Sequence, residues 1–124
     1  MPLKFITKCE LDGTSRHVNT SAYETHRFLL AEDALGVTVT DITLHPNIEA
    51  IYGYDNHIEI AYCLEGEALI RDHNDNVETR ILPGMMWIAN KGDRFSFVAS
   101  TPTRLICVFT PPFHGDETGF AGDQ

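Results

Sequence analysis

From Gly36 onward the chain has a rhythm that few folds tolerate. Short runs rich in β-branched and aromatic residues recur between turn residues roughly every eight to twelve positions, the spacing of an all-β sandwich or barrel. The runs cover 37–44, 57–64, 68–72, 77–82, 87–89, 95–99 and 103–110. Between them stand Glu65-Gly66-Glu67, Asn74-Asp75-Asn76, Pro83-Gly84, Lys91-Gly92-Asp93 and Ser100-Thr101-Pro102. Glycine supplies positive φ at these places, proline a fixed φ, and the short polar side chains local hydrogen bonds. Ahead of Gly36 the rhythm loosens: 22–33 reads equally as helix or strand, since Arg27-Phe28-Leu29-Leu30 suits both. With 124 residues there is room for one core and no need of a disulfide to hold it. One all-β domain over 1–124 is expected, with 111–124 as a flexible tail or lid.

Period-two alternation assigns faces within each strand. In 57–64, His57, Glu59, Ala61 and Cys63 share one face, and Ile58, Ile60, Tyr62 and Leu64 share the other. A polar-then-small face beside an aliphatic one reads as a strand lying between a cavity and a core. In 103–110, Leu105, Cys107 and Phe109 alternate with Arg104, Ile106 and Val108, so both strands can contribute to one pocket.

Charge and cysteine content narrow the partners. Eighteen acidic against nine basic residues give a net charge of −9, which repels polyanions, and no basic patch offsets it; nucleic acid is not an expected partner. The apolar runs fall far short of the ~18 residues of a membrane span, and the first ten residues lack the apolar core of a secretory signal, so no membrane partner and a cytoplasmic location are expected. Cys9, Cys63 and Cys107 form no Cys-x-x-Cys pair and suit reduced thiols.

Glu59 precedes Gly66 with six residues between them, and Pro83-Gly84 then introduces the strand at Trp87. This frame resembles the two motifs of the cupins, without their His-x-His pair and without a histidine after the Pro-Gly turn. The stretch from Tyr23 to Glu117, nearly four-fifths of the chain, resembles more specifically the ectoine synthase family. The likeness rests on segments 27–33, 57–67, 82–84 and 107–111. It implies a compact cupin barrel, a homodimer, and closure of N-γ-acetyl-2,4-diaminobutyrate or a relative to a cyclic amidine with loss of water. It implies an iron-dependent reaction as well. Carried over position by position, the family's glutamate ligand falls on Glu59, its tyrosine ligand on Trp87 and its histidine ligand on Phe95. Two of three ligands are therefore replaced, a metal-free site is favoured, and any metal would be held through Glu59.

The substrate-facing residues that the resemblance carries over are Tyr23 (where tryptophan is usual), Arg27, Tyr54, His57, Cys107, Phe109 and Glu117. Thr40 and Ile42 stand at positions of asparagine and threonine, and Gly119 at that of a histidine. Glu59, walled by Trp87 and Phe95, would have a raised pKa and serve as general acid and base with Tyr54 and His57. Arg27 would clamp a carboxylate of a small zwitterionic substrate, and Trp87 and Phe95 would form an aromatic wall against its cationic part. Two alternatives remain at this level: a diverted reaction (isomerisation, amidine hydrolysis or another ring closure), and a non-catalytic binding or sensor module.

Overall fold

Alternating side chains along each run close the chain into two antiparallel sheets whose inner faces share one core. The computed structural model describes residues 2–121. Its strands are β1 (His17–Asn19), β2 (Tyr23–Leu29), β3 (Thr38–Leu44), β4 (Ala50–Tyr52), β5 (Ile58–Glu65), β6 (Ala68–Asp72), β7 (Glu78–Ile81), β8 (Met86–Ala89), β9 (Phe95–Ala99) and β10 (Thr103–Thr110). Short 3-10 turns cover Cys9–Leu11 and Ala31–Asp33. The six-stranded sheet runs β1-β2-β3-β10-β5-β8, and the four-stranded sheet β4-β9-β6-β7. Each of the seven expected runs is a strand. The ambiguous stretch resolves as β2 followed by a 3-10 turn, and the three-residue strands β1 and β4 are additions. Among the described residues no helix is long and apolar enough to cross a membrane.

The alternation of β5 holds, but the aliphatic face is not the core face. Glu59, Ala61 and Cys63 are buried, whereas Tyr62 and Leu64 are 44% and 37% exposed. Their register neighbours on β8 continue the outer patch: Ile88 lies opposite Ile60, and Met86 opposite Tyr62. Burial here follows which face the cavity occupies rather than which face is more apolar.

Gly66 shows why the motif needs its glycine. The residue has φ +99°, and a Cβ would lie 2.5 Å from the Pro102 carbonyl oxygen and from Thr103 Oγ1. Any side chain would push apart the start of β10.

After β10 the chain turns back over the six-stranded sheet. The Phe113 amide donates to Thr38 Oγ1 at 2.7 Å, the Ala31 amide donates to the Phe113 carbonyl at 2.8 Å, and Phe120 bridges to Tyr52. Residues 122–124, part of the expected tail, lie outside the described residues.

Candidate active site

Antiparallel register sets the site. On β5, Glu59 lies opposite Ala89 of β8 and Phe109 of β10, while Ala61 lies opposite Trp87 and Cys107. Residues two apart share a face, so Glu59, Trp87, Cys107 and Phe109 converge on one inner surface. They line a cavity of about 40 Å³ with Tyr23, Tyr54 and Phe95. Seven of the ten site residues expected from the sequence therefore meet there. Leu105 joins them as its alternation with Cys107 and Phe109 indicates; Tyr52, Phe97 and Thr118 also line the cavity without having been singled out, and Thr40, Ile42 and Leu44 complete the β3 side. Alternation along β9 was the available signal for Phe97; nothing local marks Tyr52 or Thr118.

Glu59 is buried among these rings, beside the Cys107 thiol. Burial outweighs the stabilisation its charge gains from that thiol and pushes its carboxyl up to about 7. Burial first, and the neighbouring Glu59 charge second, push the Tyr54 phenol and the Cys107 thiol well above their ordinary values. Cys107 is thus held as a neutral thiol, not as a nucleophile. Glu59 Oε1 and Trp87 Nε1 are both buried and have no hydrogen-bond partner among the described residues. Among the described residues no Lys or Arg lines this cavity; Arg27 lines the small adjoining one, which shares Tyr23, Tyr54 and Phe109 with it.

The remaining three expected residues form a clasp beside it. The Arg27 guanidinium donates to the Gly115 carbonyl at 2.6 Å and to the Glu117 carbonyl, and lies 5.7 Å from the Phe113 ring centre. Its polar face is turned to the closing segment, so in this arrangement it clamps backbone. The Glu117 carboxylate accepts from the His114 amide at 3.0 Å and the Gly115 amide at 3.0 Å. Although burial opposes it, these amides and the nearby His57 hold that carboxyl below its ordinary value. His57 Nδ1 sits 2.6 Å from the Pro111 carbonyl, and its Nε2 3.5 Å from Glu117 Oε2. Tyr54 joins the two groups, lining the cavity and meeting His57 edge-on with ring centres 6.0 Å apart. Gly119 is tight against it: with φ +85°, a Cβ would lie 2.6 Å from the Tyr54 hydroxyl.

The three positions implied for iron do not fit it. Glu59 offers a carboxylate, but an indole N–H is a donor only and a phenyl ring has no lone pair to give. A group of metal-ligating types lies elsewhere: Asp12, His17 and His26 each bring one ligand atom within 4.8 Å of the others. There His26 Nε2 already meets Asp12 Oδ1 at 2.6 Å and His17 Nε2 meets Glu24 Oε2 at 2.7 Å. The two imidazoles are stacked, 4.2 Å between centres and 16° between planes. Neither histidine had been assigned from the sequence; what joins them is the β1–β2 register, which sets them directly opposite one another.

Known proteins agree with this architecture. A family model described as "Ectoine synthase" matches residues 3–121. An L-ectoine synthase of Oceanobacillus iheyensis is 33% identical over 109 residues, 88% of this chain and 85% of that one. A crystal structure of ectoine synthase from P. lautus superposes with a TM-score of 0.86 at 29% identity, covering 91% of this chain and 81% of that chain. KdgF from Halomonas sp. shares the fold at a TM-score of 0.71 and 15% identity, over 87% of this chain and 94% of that one.

Proposed function

Because the chain belongs to the ectoine synthase family, we propose that it is a hydro-lyase of ectoine synthase type. It closes N-γ-acetyl-2,4-diaminobutyrate, or a near relative, to the cyclic amidine. The observation that carries the chemistry is the buried Glu59 carboxyl with its pKa near 7. At neutral pH such a group is present in both protonation states, which suits one residue that must give and take the same proton.

The substrate's free amine attacks its own amide carbon, forming a C–N bond, while Glu59 gives its proton to the amide oxygen. The carboxylate so formed takes a proton from the new ammonium. It returns that proton to the hydroxyl, which leaves as water as the C=N bond forms, and the resulting amidinium gives one N–H proton back to the Glu59 carboxylate, which restores the acid and leaves the neutral amidine. The aromatic walls fold the substrate so that amine and carbonyl meet, which replaces an intermolecular encounter by an intramolecular one. Tyr54 connects this chemistry to the clasp. Arg27, His57 and Glu117 hold the segment 111–121, which acts as a lid. With room for a few waters by the ~10–15 Å³ that one water centre needs, the cavity admits a substrate only when that segment moves.

We further propose that the reaction proceeds without a metal at Glu59, on the donor chemistry of Trp87 and Phe95. The protein works as a cytoplasmic homodimer, without nucleic-acid or membrane partners, in keeping with its net charge of −9 and its free cysteines. The outer aliphatic patch on β5 and β8, where Met86 and Ile88 are 58% and 56% exposed, is the surface offered to the second copy.

The test is turnover of N-γ-acetyl-2,4-diaminobutyrate by protein stripped with a chelator, with and without added ferrous iron. Amidine formation that survives stripping is expected. Turnover strictly dependent on iron and lost with Glu59→Ala overturns the metal-free step, and no amidine under either condition overturns the assigned reaction.

A further inference from the structure

Two buried polar atoms in the cavity lack partners among the described residues, and they are of opposite kinds. Trp87 Nε1 can only donate, and Glu59 Oε1 belongs to a carboxyl that can accept or, when protonated, donate. They sit on the adjacent strands β5 and β8, two residue pairs apart in register and therefore on the same inner face. Buried polar atoms are rarely left in this state unless a ligand or water completes them. The rest of the lining offers little competition: it is largely aromatic and aliphatic, and the Tyr23 hydroxyl is committed to the Thr118 carbonyl at 2.7 Å.

Resting on the reaction proposed above, we propose that Trp87 Nε1–H and the Glu59 carboxyl together form the seat of one uncharged amide oxygen, each addressing one of its lone pairs. Trp87 is then a catalytic residue in its own right, a fixed donor at the oxygen that gains negative charge as the amine attacks. A carboxylate oxygen is the wrong occupant, because it would set a second buried negative charge beside Glu59, and Arg27, the cation of the adjoining cavity, is committed to the Gly115 and Glu117 carbonyls. An ammonium is wrong as well, because it leaves the indole N–H unmet. An amide carbonyl satisfies both groups, and its bond to the indole strengthens in the tetrahedral intermediate, as at an oxyanion hole. The indole thereby supplies hydrogen-bond stabilisation at a position where the family would place a metal ligand.

Trp87 is the only tryptophan in the chain, so its N–H gives one unambiguous indole resonance. The experiment follows that resonance in uniformly nitrogen-15-labelled full-length protein during titration with N-methylacetamide, with acetate and methylammonium as controls, and pairs it with the kinetics of Trp87→Phe. A saturable downfield shift of the indole proton with the amide alone is expected. So is a roughly 100-fold loss of kcat in Trp87→Phe with KM changed by less than about threefold, the scale of losing one oxyanion donor. A shift with acetate or methylammonium and none with the amide overturns the assignment. Parent kinetics in Trp87→Phe with an unmoved indole resonance overturn it too, while leaving the cyclisation intact. A saturable amide shift in a protein that makes no amidine supports the amide seat and overturns the assigned reaction, so the two failures are distinguishable.

Discussion

The two faces of the six-stranded sheet treat polar groups in opposite ways. On the outer face, Asp41 receives Arg104 at 2.7 and 3.1 Å and Lys8 at 3.5 Å, while His26 and His17 each hold a carboxylate. On the inner face, Glu59 and Trp87 keep atoms with no partner among the described residues, in a cavity whose nearest cation, Arg27, is committed to backbone carbonyls. The outer groups outnumber the inner ones and include the residue types most associated with metals and catalysis. Yet they complete one another, and a completed group has little left to offer a ligand. Function is marked by what is left unsatisfied, more than by how many reactive residue types gather in one place.

The contrast breaks most visibly at Glu59. Glu59→Gln keeps the shape and removes the transferable proton, so turnover is expected to fall by roughly 100-fold or more while circular dichroism stays that of the parent. Turnover at the parent rate would take Glu59 out of the chemistry.

The same substitution gives the next largest effect, on stability. A carboxyl whose folded pKa is raised to about 7 from an ordinary 4.5 binds its proton more tightly when folded. Its contribution is fully present below about pH 4.5 and is lost as pH rises through 7. Above that pH the parent carries a buried charge worth about 3 kcal/mol at 1.36 kcal/mol per unit. Glu59→Gln is therefore expected to be more stable than the parent by up to that amount at pH 8, and no more stable at pH 4. Urea unfolding at both pH values measures it; a stability difference independent of pH would refute the burial of an ionisable Glu59.

How much of this contrast could be read from the chain depends on distance along it. The strands after Gly36 other than β4 were legible because turn residues and alternation are local signals. β1 and β4 were not, since three residues carry no period. For β5 the cavity side was legible and the packing of the other side was not: alternation puts Glu59 toward a cavity, where it lies, but Tyr62 and Leu64 of the aliphatic face point outward rather than into a core. Most of the cavity was recoverable through the family resemblance, which identified Glu59, Trp87, Phe95, Cys107 and Phe109 together. The clasp contacts were not. Arg27 meets Gly115 and Glu117 across 88 and 90 positions, and no pattern within a strand says that a guanidinium will find backbone carbonyls there.

On the outer face the expected effects are on stability, not on turnover. Burial alone would raise the Asp41 carboxyl, but Arg104 and Lys8 hold it below its ordinary value. Its stabilisation is thus present above the unfolded carboxyl's pKa and is lost as pH falls through the lower, folded one. Asp41→Asn is expected to lose about 1 to 2 kcal/mol at pH 7, less than a fully buried pair because Arg104 remains partly solvated. The difference should vanish in strong acid, with turnover within about twofold of the parent. A tenfold loss of turnover in Asp41→Asn would mean that the two faces are coupled.

The smallest effect is expected at the outer histidines, where residue types alone would have placed the site. His26 is buried with its Nε2 on Asp12 Oδ1, and its ring lies against that of His17. For one ion to be bound by both imidazoles it must lie near both ring planes, and planes 16° apart on rings 4.2 Å apart do not meet within bonding distance. Taking up a metal therefore requires one ring to turn and both carboxylate pairings to break. His26→Gln keeps a side-chain donor toward Asp12 and removes the imidazole. It is expected to change turnover by less than twofold and stability by about 1 kcal/mol or less, the scale of one hydrogen bond with a solvated partner. Metal analysis of the parent, Glu59→Ala and His26→Gln proteins sharpens the point. Metal that survives Glu59→Ala and disappears with His26→Gln belongs to the outer face, and its removal should leave amidine formation unchanged. If turnover disappeared with that metal, the completed face would be the catalytic one, and the distinction between satisfied and unsatisfied groups would fail for this protein.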